Sequence, residues 1–263
     1  MIFTTPVDIA PSAWKIRYAD RLLLLGSCFS DNIAKKAREY YLQVEANPCG
    51  TLYNPISIAH HVEALADKAD VVLVTFGSAW VYIDKALAAG EIQLEAVVDN
   101  CEKRPASDFI RYRLSVEDIV AAWQPLLQRY RDKRWLFTVS PIRHKKDGLH
   151  ENQLSKAILL QAIEQLGVDY FPSYEIMLDE LRDYRYYAPD MLHPSEVAVD
   201  YIWERWVETY IDEATQAEMR PLHQLWLDRQ HRPLKPDTAE ATRFVEGVEQ
   251  RAKELQKHYP WIQ

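Results

Sequence analysis

Ser27, Asp190 and His193 are the residues whose types and spacing invite chemistry. Ser27 stands in "RLLLLGSCFSDNIAKKAREY" (21–40), where an apolar run ends and a helix-like pattern begins, with Gly26 before it and Cys28 after. A serine at such a corner has two readings. As a helix cap, its oxygen accepts a backbone N–H of the new helix. As a nucleophile, it needs a base to take its proton and a carboxylate to orient that base. "APDMLHPS" supplies such a pair in Asp190 and His193, three residues apart. Cys28 is the competing nucleophile, because a helix N-terminus favours a thiolate.

These residues need a scaffold that brings positions 27 and 190–193 together. Short runs rich in aliphatic and β-branched residues recur at 21–26, 41–46, 70–77, 134–140 and 168–176. Apolar on both faces, they predict strands of a buried parallel sheet. Helical patterns lie between them at 54–69, 115–132 and 152–167, with Ser115 and Asp118 as start signals and Gly167 as a stop. This alternation predicts a three-layer α/β/α fold with a central parallel sheet. A serine after the first strand and a loop between the last strand and a final helix (196–210) then share the carboxyl edge, where open α/β sheets place their sites. Residues 80–104 alternate around Gly90 and read as a hairpin-like insertion. Residues 1–211 form one predicted domain. Residues 212–263 form a helical C-terminal extension, with Phe244, Val248 and Leu255 on one face of 239–257, suited to packing or to homo-oligomer formation.

Bulk properties narrow the function. A chain of 263 residues, 48% of them hydrophobic, can bury a sizeable core. A net charge of −8 argues against a broad nucleic-acid or anionic-membrane surface. The apolar run at 22–25 is far too short for a membrane span, and residues 1–20 lack the signal-peptide pattern. Cys28, Cys49 and Cys101 are odd in number and match no zinc spacing, which points to a reducing, cytoplasmic setting and to no metal. His60 and His61, adjacent on a helix, read as structural.

Five blocks occur in order: "GSCFS", "NPCGTLYNP", "TFGSAWVY", "TVSPIRHKKDG" followed by "NQLSKA", and "DMLHPS". Together they resemble the GSCFA-type branch of the SGNH/GDSL hydrolases over about the first 210 residues. The resemblance implies a flavodoxin-like sandwich and a serine esterase that works through an acyl-enzyme, without cofactor. It implies Ser27 as nucleophile, His193 as general base and Asp190 as the group orienting it. The N–H groups of Ser27 and Gly50 would then form the oxyanion hole. One departure stands out. The wider superfamily has an asparagine amide as third oxyanion donor where this chain has Ala79. Losing such a donor costs about 100- to 1,000-fold in rate. Candidate replacements are Asn54, Ser78, Asn100, Asn152 and the Trp80 indole; Trp80, Arg143 and His144 are candidates for binding substrate. Aromatics in "DYRYYAPD" suit a sugar, hence an O-acetyl group on a carbohydrate as one substrate class. An acyl transferase would use the same three residues, and a non-catalytic binding module is the rival that Ala79 motivates.

Overall fold

The computed structural model describes residues 4–99, 101 and 103–262. Its centre is a five-stranded, wholly parallel sheet of β1 (Arg21–Gly26), β2 (Gln43–Ala46), β3 (Val71–Phe76), β6 (Arg134–Val139) and β7 (Asp169–Tyr170), in the order β2-β1-β3-β6-β7. The chain runs from β1 outward to β2, then crosses back to β3 on the other side of β1. The switch point therefore lies between the carboxyl ends of β1 and β3, a natural crevice for a site.

Strand residues alternate between two cores, as a period of two requires. Leu23, Leu25, Val72, Val74 and Phe76 face one core, covered by α2 (Pro55–Leu65), α3 (Val116–Arg129) and α4 (Leu149–Leu166). Leu22, Leu24, Val71 and Leu73 face the other, covered by α1 (Cys28–Glu39) and α6 (Glu196–Tyr210). The predicted three-layer α/β/α architecture is the one observed.

Two local expectations are corrected. The run at 168–176 yields strand only at 169–170. Pro172 has no N–H to continue a ladder, and the chain turns into the short α5 (Ser173–Glu175) and a wide helical turn at Ile176–Glu180. The insertion is a hairpin with a longer span than 80–104. Strand β4 (Trp80–Asp84) pairs antiparallel with β5 (Phe109–Arg113), whose arginines interrupt the apolar pattern. Gly90 belongs to the connection between them. The C-terminal extension folds as α7 (Glu213–Gln230) and α8 (Ala239–Gln256), and buries Met219, Leu222, Leu225, Val248 and Ala252 in the α1–α6 core. Its apolar residues thus serve this chain's own interior.

At the switch point the backbones approach closely. Gly26 has φ +132°, and an added Cβ would lie 2.1 Å from the Thr75 carbonyl oxygen of the neighbouring strand. Gly26→Ala is therefore expected to cost about 3 kcal/mol or more, from strain plus overpacking against backbone that cannot move alone. A urea midpoint close to wild type would contradict this.

Candidate active site

Helix α1 begins at the end of β1, and Ser27 caps it. The Ser27 hydroxyl accepts the Phe29 N–H (3.3 Å), and its carbonyl accepts the Ser30 N–H (2.8 Å). Ser27 is fully buried, its Cβ facing the backbone of Gly77 beyond β3, where a glycine Cβ would lie 3.5 Å away. Its own N–H donates to the Thr75 carbonyl (3.3 Å). The Ser27 hydroxyl and N–H, expected to serve as nucleophile and oxyanion donor, are both bonded within the protein. Capping turns that side chain inward, and β3 takes the amide. Cys28, the first helical residue, is half-buried instead. Its N–H lies in the first turn, where no intrahelical acceptor exists.

The loop between β2 and α2 is strapped across the same edge. Asn47 accepts the Gly26 N–H on Oδ1 (2.9 Å) and donates through Nδ2 to Asp31 (3.0 Å). The Tyr53 carbonyl accepts the N–H groups of Gly77 and Ser78, both at 2.8 Å. Gly50, at φ +91°, is exposed, and its N–H donates to the Asn47 carbonyl (2.8 Å). That bond closes a tight turn and engages the N–H that was expected to face an oxyanion.

Asp190 and His193 lie in the loop before α6. Asp190 Oδ1 accepts the N–H groups of Leu192 (2.9 Å) and His193 (3.0 Å), while Oδ2 pairs with His193 Nδ1 at 2.5 Å. The two backbone N–H donors, joined by the imidazole, hold the Asp190 carboxyl down at about 2. With Nδ1–H on the carboxylate, Nε2 carries the lone pair that can take a proton. Ser195, not Asp190, caps α6. Arg143 anchors this loop: its N–H donates to the Leu192 carbonyl (3.1 Å) and its guanidinium to the Met191 carbonyl (3.2 Å). Met191 itself is held at φ +61°.

The most consequential group that sequence reasoning missed is Lys156. Helix α4 turns Asn152, Ser155, Lys156, Leu159 and Ile163 toward the protein interior. Lys156 is 1% exposed, and Nζ donates to the carbonyls of Gly77 (2.6 Å) and Ser140 (2.8 Å), just beyond β3 and β6. Burial draws its ammonium down to about 7. The signal was a single cation within an apolar helical stripe. Ser155 Oγ accepts the Ala79 N–H (2.7 Å), so the helix also satisfies the backbone at the departed asparagine position.

The remaining candidates divide. Asn54 is spent as the cap of α2, with Oδ1 and Nδ2 both bonded to Ser57 (2.8 and 2.9 Å). Ser78 Oγ accepts the Trp80 N–H (3.1 Å) within a buried turn. The Trp80 ring is covered by the Arg111 guanidinium (3.7 Å), which fits packing against β5 rather than substrate binding. Asn100 lies outside the described residues. Asn152, 3% exposed, accepts the His144 N–H on Oδ1 (2.9 Å), and its Nδ2 has no partner among the described residues. It borders a cavity of about 310 Å³ walled by Arg143, Tyr174, Met177, Tyr184 and Tyr187. That cavity adjoins the site through Arg143 and Asn152; Ser27, Cys28 and His193 are not in its wall. His144 packs edge-on to Tyr53 (ring centroids 6.0 Å apart). Its Nε2 is buried with no hydrogen-bond partner among the described residues. Burial, aided by the charges of Lys156 and His193, lowers His144 to about 4. His61 pairs with Asp99 (2.7 Å), well away from these residues in the fold. Among the described residues no helix is long and apolar enough to cross a membrane, and no cluster of three or more His, Cys, Asp or Glu could hold a metal.

Among solved structures, the chain is similar to a mutant of an acetyl-xylooligosaccharide esterase from Geobacillus stearmophilus. The two are 12% identical, with 74% of this chain and 95% of that chain covered and a TM-score of 0.45. It is also similar to a Clostridium thermocellum family 3 carbohydrate esterase (12% identity, 78% and 98% covered, TM-score 0.43). A third is a lipase/acylhydrolase from Enterococcus faecalis (11% identity, 73% and 94% covered, TM-score 0.44). No curated protein matches the chain. The model of the GSCFA family matches residues 21–68 and 61–206. That match runs from β1 through α6 and takes in Ser27, Cys28, Asp190 and His193: the chain belongs to the GSCFA family.

Proposed function

We propose that this edge of the sheet is an acyl-transfer centre that hydrolyses an ester-linked acyl group. The observation that carries the reading is the Asp190–His193 pair, bonded at 2.5 Å at the loop entering α6. His193 Nε2 takes the proton of a nucleophile from the first turn of α1, and that nucleophile attacks the ester carbonyl. The alcohol leaves with the proton, and water activated by His193 releases the acid. The α1 macrodipole favours the oxyanion, and the Asn152 Nδ2 group supports it in place of the amide absent at Ala79. An alcohol in place of water would make the same centre a transferase. Tyrosine walls of the neighbouring cavity favour a carbohydrate O-acetyl ester as the substrate class.

The test is acetate release from O-acetylated sugars and 4-nitrophenyl acetate by the wild-type protein beside His193→Ala. Turnover that His193→Ala reduces by about 100-fold or more supports the reading. A folded wild-type protein that turns over none of these esters refutes it for acetyl substrates. One observation favours a non-catalytic binding module instead: the N–H groups of Ser27 and Gly50 are both committed within the protein. Binding of acetylated sugars without turnover, unaffected by His193→Ala, is the result that module would give.

A further inference from the structure

We infer that the nucleophile of this centre is the Cys28 thiol, and that Ser27 is the cap that sets it in place. The inference rests on the acyl-transfer reading and names its attacking atom. Ser27 has no accessible surface, and its hydroxyl is engaged with the Phe29 N–H. An ester approaching from solvent cannot reach it without dismantling the first turn of α1. Cys28 follows it on the first helical position, half-buried and with no hydrogen-bonded side-chain partner among the described residues. It lies within electrostatic reach of Asp190, of Lys156 and of Tyr53. Tyr53 in turn packs against His144, whose ring feels His193 and Lys156. These groups therefore lie within electrostatic reach of one another around Cys28, and the buried His144 Nε2 has no hydrogen-bond partner among the described residues. An unsatisfied buried nitrogen in the neighbourhood of a half-buried thiol suits a polar ligand atom.

The electrostatics decide how such a thiol would work. Burial pushes the Cys28 thiol up, and the Asp31 and Asp190 carboxylates add to this; its own backbone N–H and the Lys156 ammonium oppose it. The upward causes win, so the resting group is a neutral thiol rather than a standing thiolate. It needs a base at the moment of attack, as a hydroxyl would, and His193 is the base at hand.

The steps balance. Sγ–H gives its proton to His193 Nε2 as the S–C bond forms. The C–O bond to the alcohol breaks, and that proton passes to the departing oxygen. Water then attacks the thioester and gives a proton to His193. The C–S bond breaks, the acid leaves, and the proton returns to Sγ.

The experiment treats the full chain with 4-nitrophenyl acetate, quenches it, maps the acetyl group by mass and tests its lability to neutral hydroxylamine. The expected result is a hydroxylamine-labile acetyl on Cys28, lost in Cys28→Ala and His193→Ala and still formed in Ser27→Ala. Steady-state turnover in Cys28→Ala should fall at least about 1,000-fold. A hydroxylamine-stable acetyl on Ser27, or turnover retained in Cys28→Ala, overturns the assignment while leaving the acyl-transfer reading intact. Should no ester be turned over, that reading fails and iodoacetamide still judges the thiol. Alkylation of Cys28 that drops about tenfold in His193→Ala, with exposed Cys49 unchanged, supports the Cys28–His193 pairing. Equal rates in both proteins overturn it.

Discussion

Between about pH 7 and about pH 10 the wild-type protein is expected to gain on the order of 4 kcal/mol of stability over its Lys156→Met variant. The Lys156 ammonium is fully buried, and burial lowers it from 10.5 to about 7. In the unfolded chain the same amine stays protonated to about 10.4. Across that window the unfolded state binds a proton that the folded state has released, so wild-type stability rises with pH. Methionine has nothing to titrate, and groups that do not feel the Lys156 charge cancel in the comparison; Cys28 and His144, which do, add smaller changes. At neutral pH two effects oppose each other. The variant escapes the desolvation of an amine, but it leaves the Gly77 and Ser140 carbonyls without their donor, at about 1–3 kcal/mol each. Urea midpoints of both proteins at the two pH values decide the matter. A stability difference that stays constant would mean that the two carbonyls at 2.6 and 2.8 Å keep the ammonium charged throughout.

Asp190→Asn is expected to lower kcat/KM for the best ester by about 100- to 10,000-fold while leaving the fold intact. Asparagine can retain the two backbone N–H bonds on its Oδ1. Its Nδ2 then faces His193 Nδ1, where the carboxylate oxygen was. The imidazole must accept there, which moves its proton to Nε2 and removes the lone pair that deprotonates the nucleophile. The pair is almost half exposed, so the smaller end of this range fits better than a fully buried triad would. With Asp190 held at about 2, its carboxylate stays ionised through any ordinary assay. An acid limb in the wild-type rate profile at higher pH therefore belongs to another group. Unchanged kcat/KM in a folded Asp190→Asn protein would remove this dyad from the mechanism.

The strands β1, β3 and β6 were legible because each is a largely apolar run on both faces, the pattern of a sheet buried on both sides. The Asp190–His193 pair was legible because its spacing is local, and a three-residue separation closes through one turn of backbone. Strand β5 was hidden by Arg111 and Arg113, whose charges are carried by Asp147 and Glu151 from distant sequence. The tail from 213 onward was legible as helix, but not its docking on α1 and α6. An apolar stripe says that a face is covered without saying by what.

At the site itself, sequence determined the cast and tertiary structure the roles. Adjacent residues at a strand-to-helix corner carry one signal between them, and the register of that signal favoured Ser27 over Cys28. Which of the two faces solvent follows from how the first turn of α1 settles against Gly77 and Thr75, more than forty residues away. The same holds for Lys156, one charge in an apolar stripe until β3 and β6 bring two carbonyls to its ammonium. Local spacing fixes which groups can pair within a turn of chain. Burial, and with it the accessibility and proton affinity of each group, is a property of the packed surroundings, and those exist only once the sheet has formed.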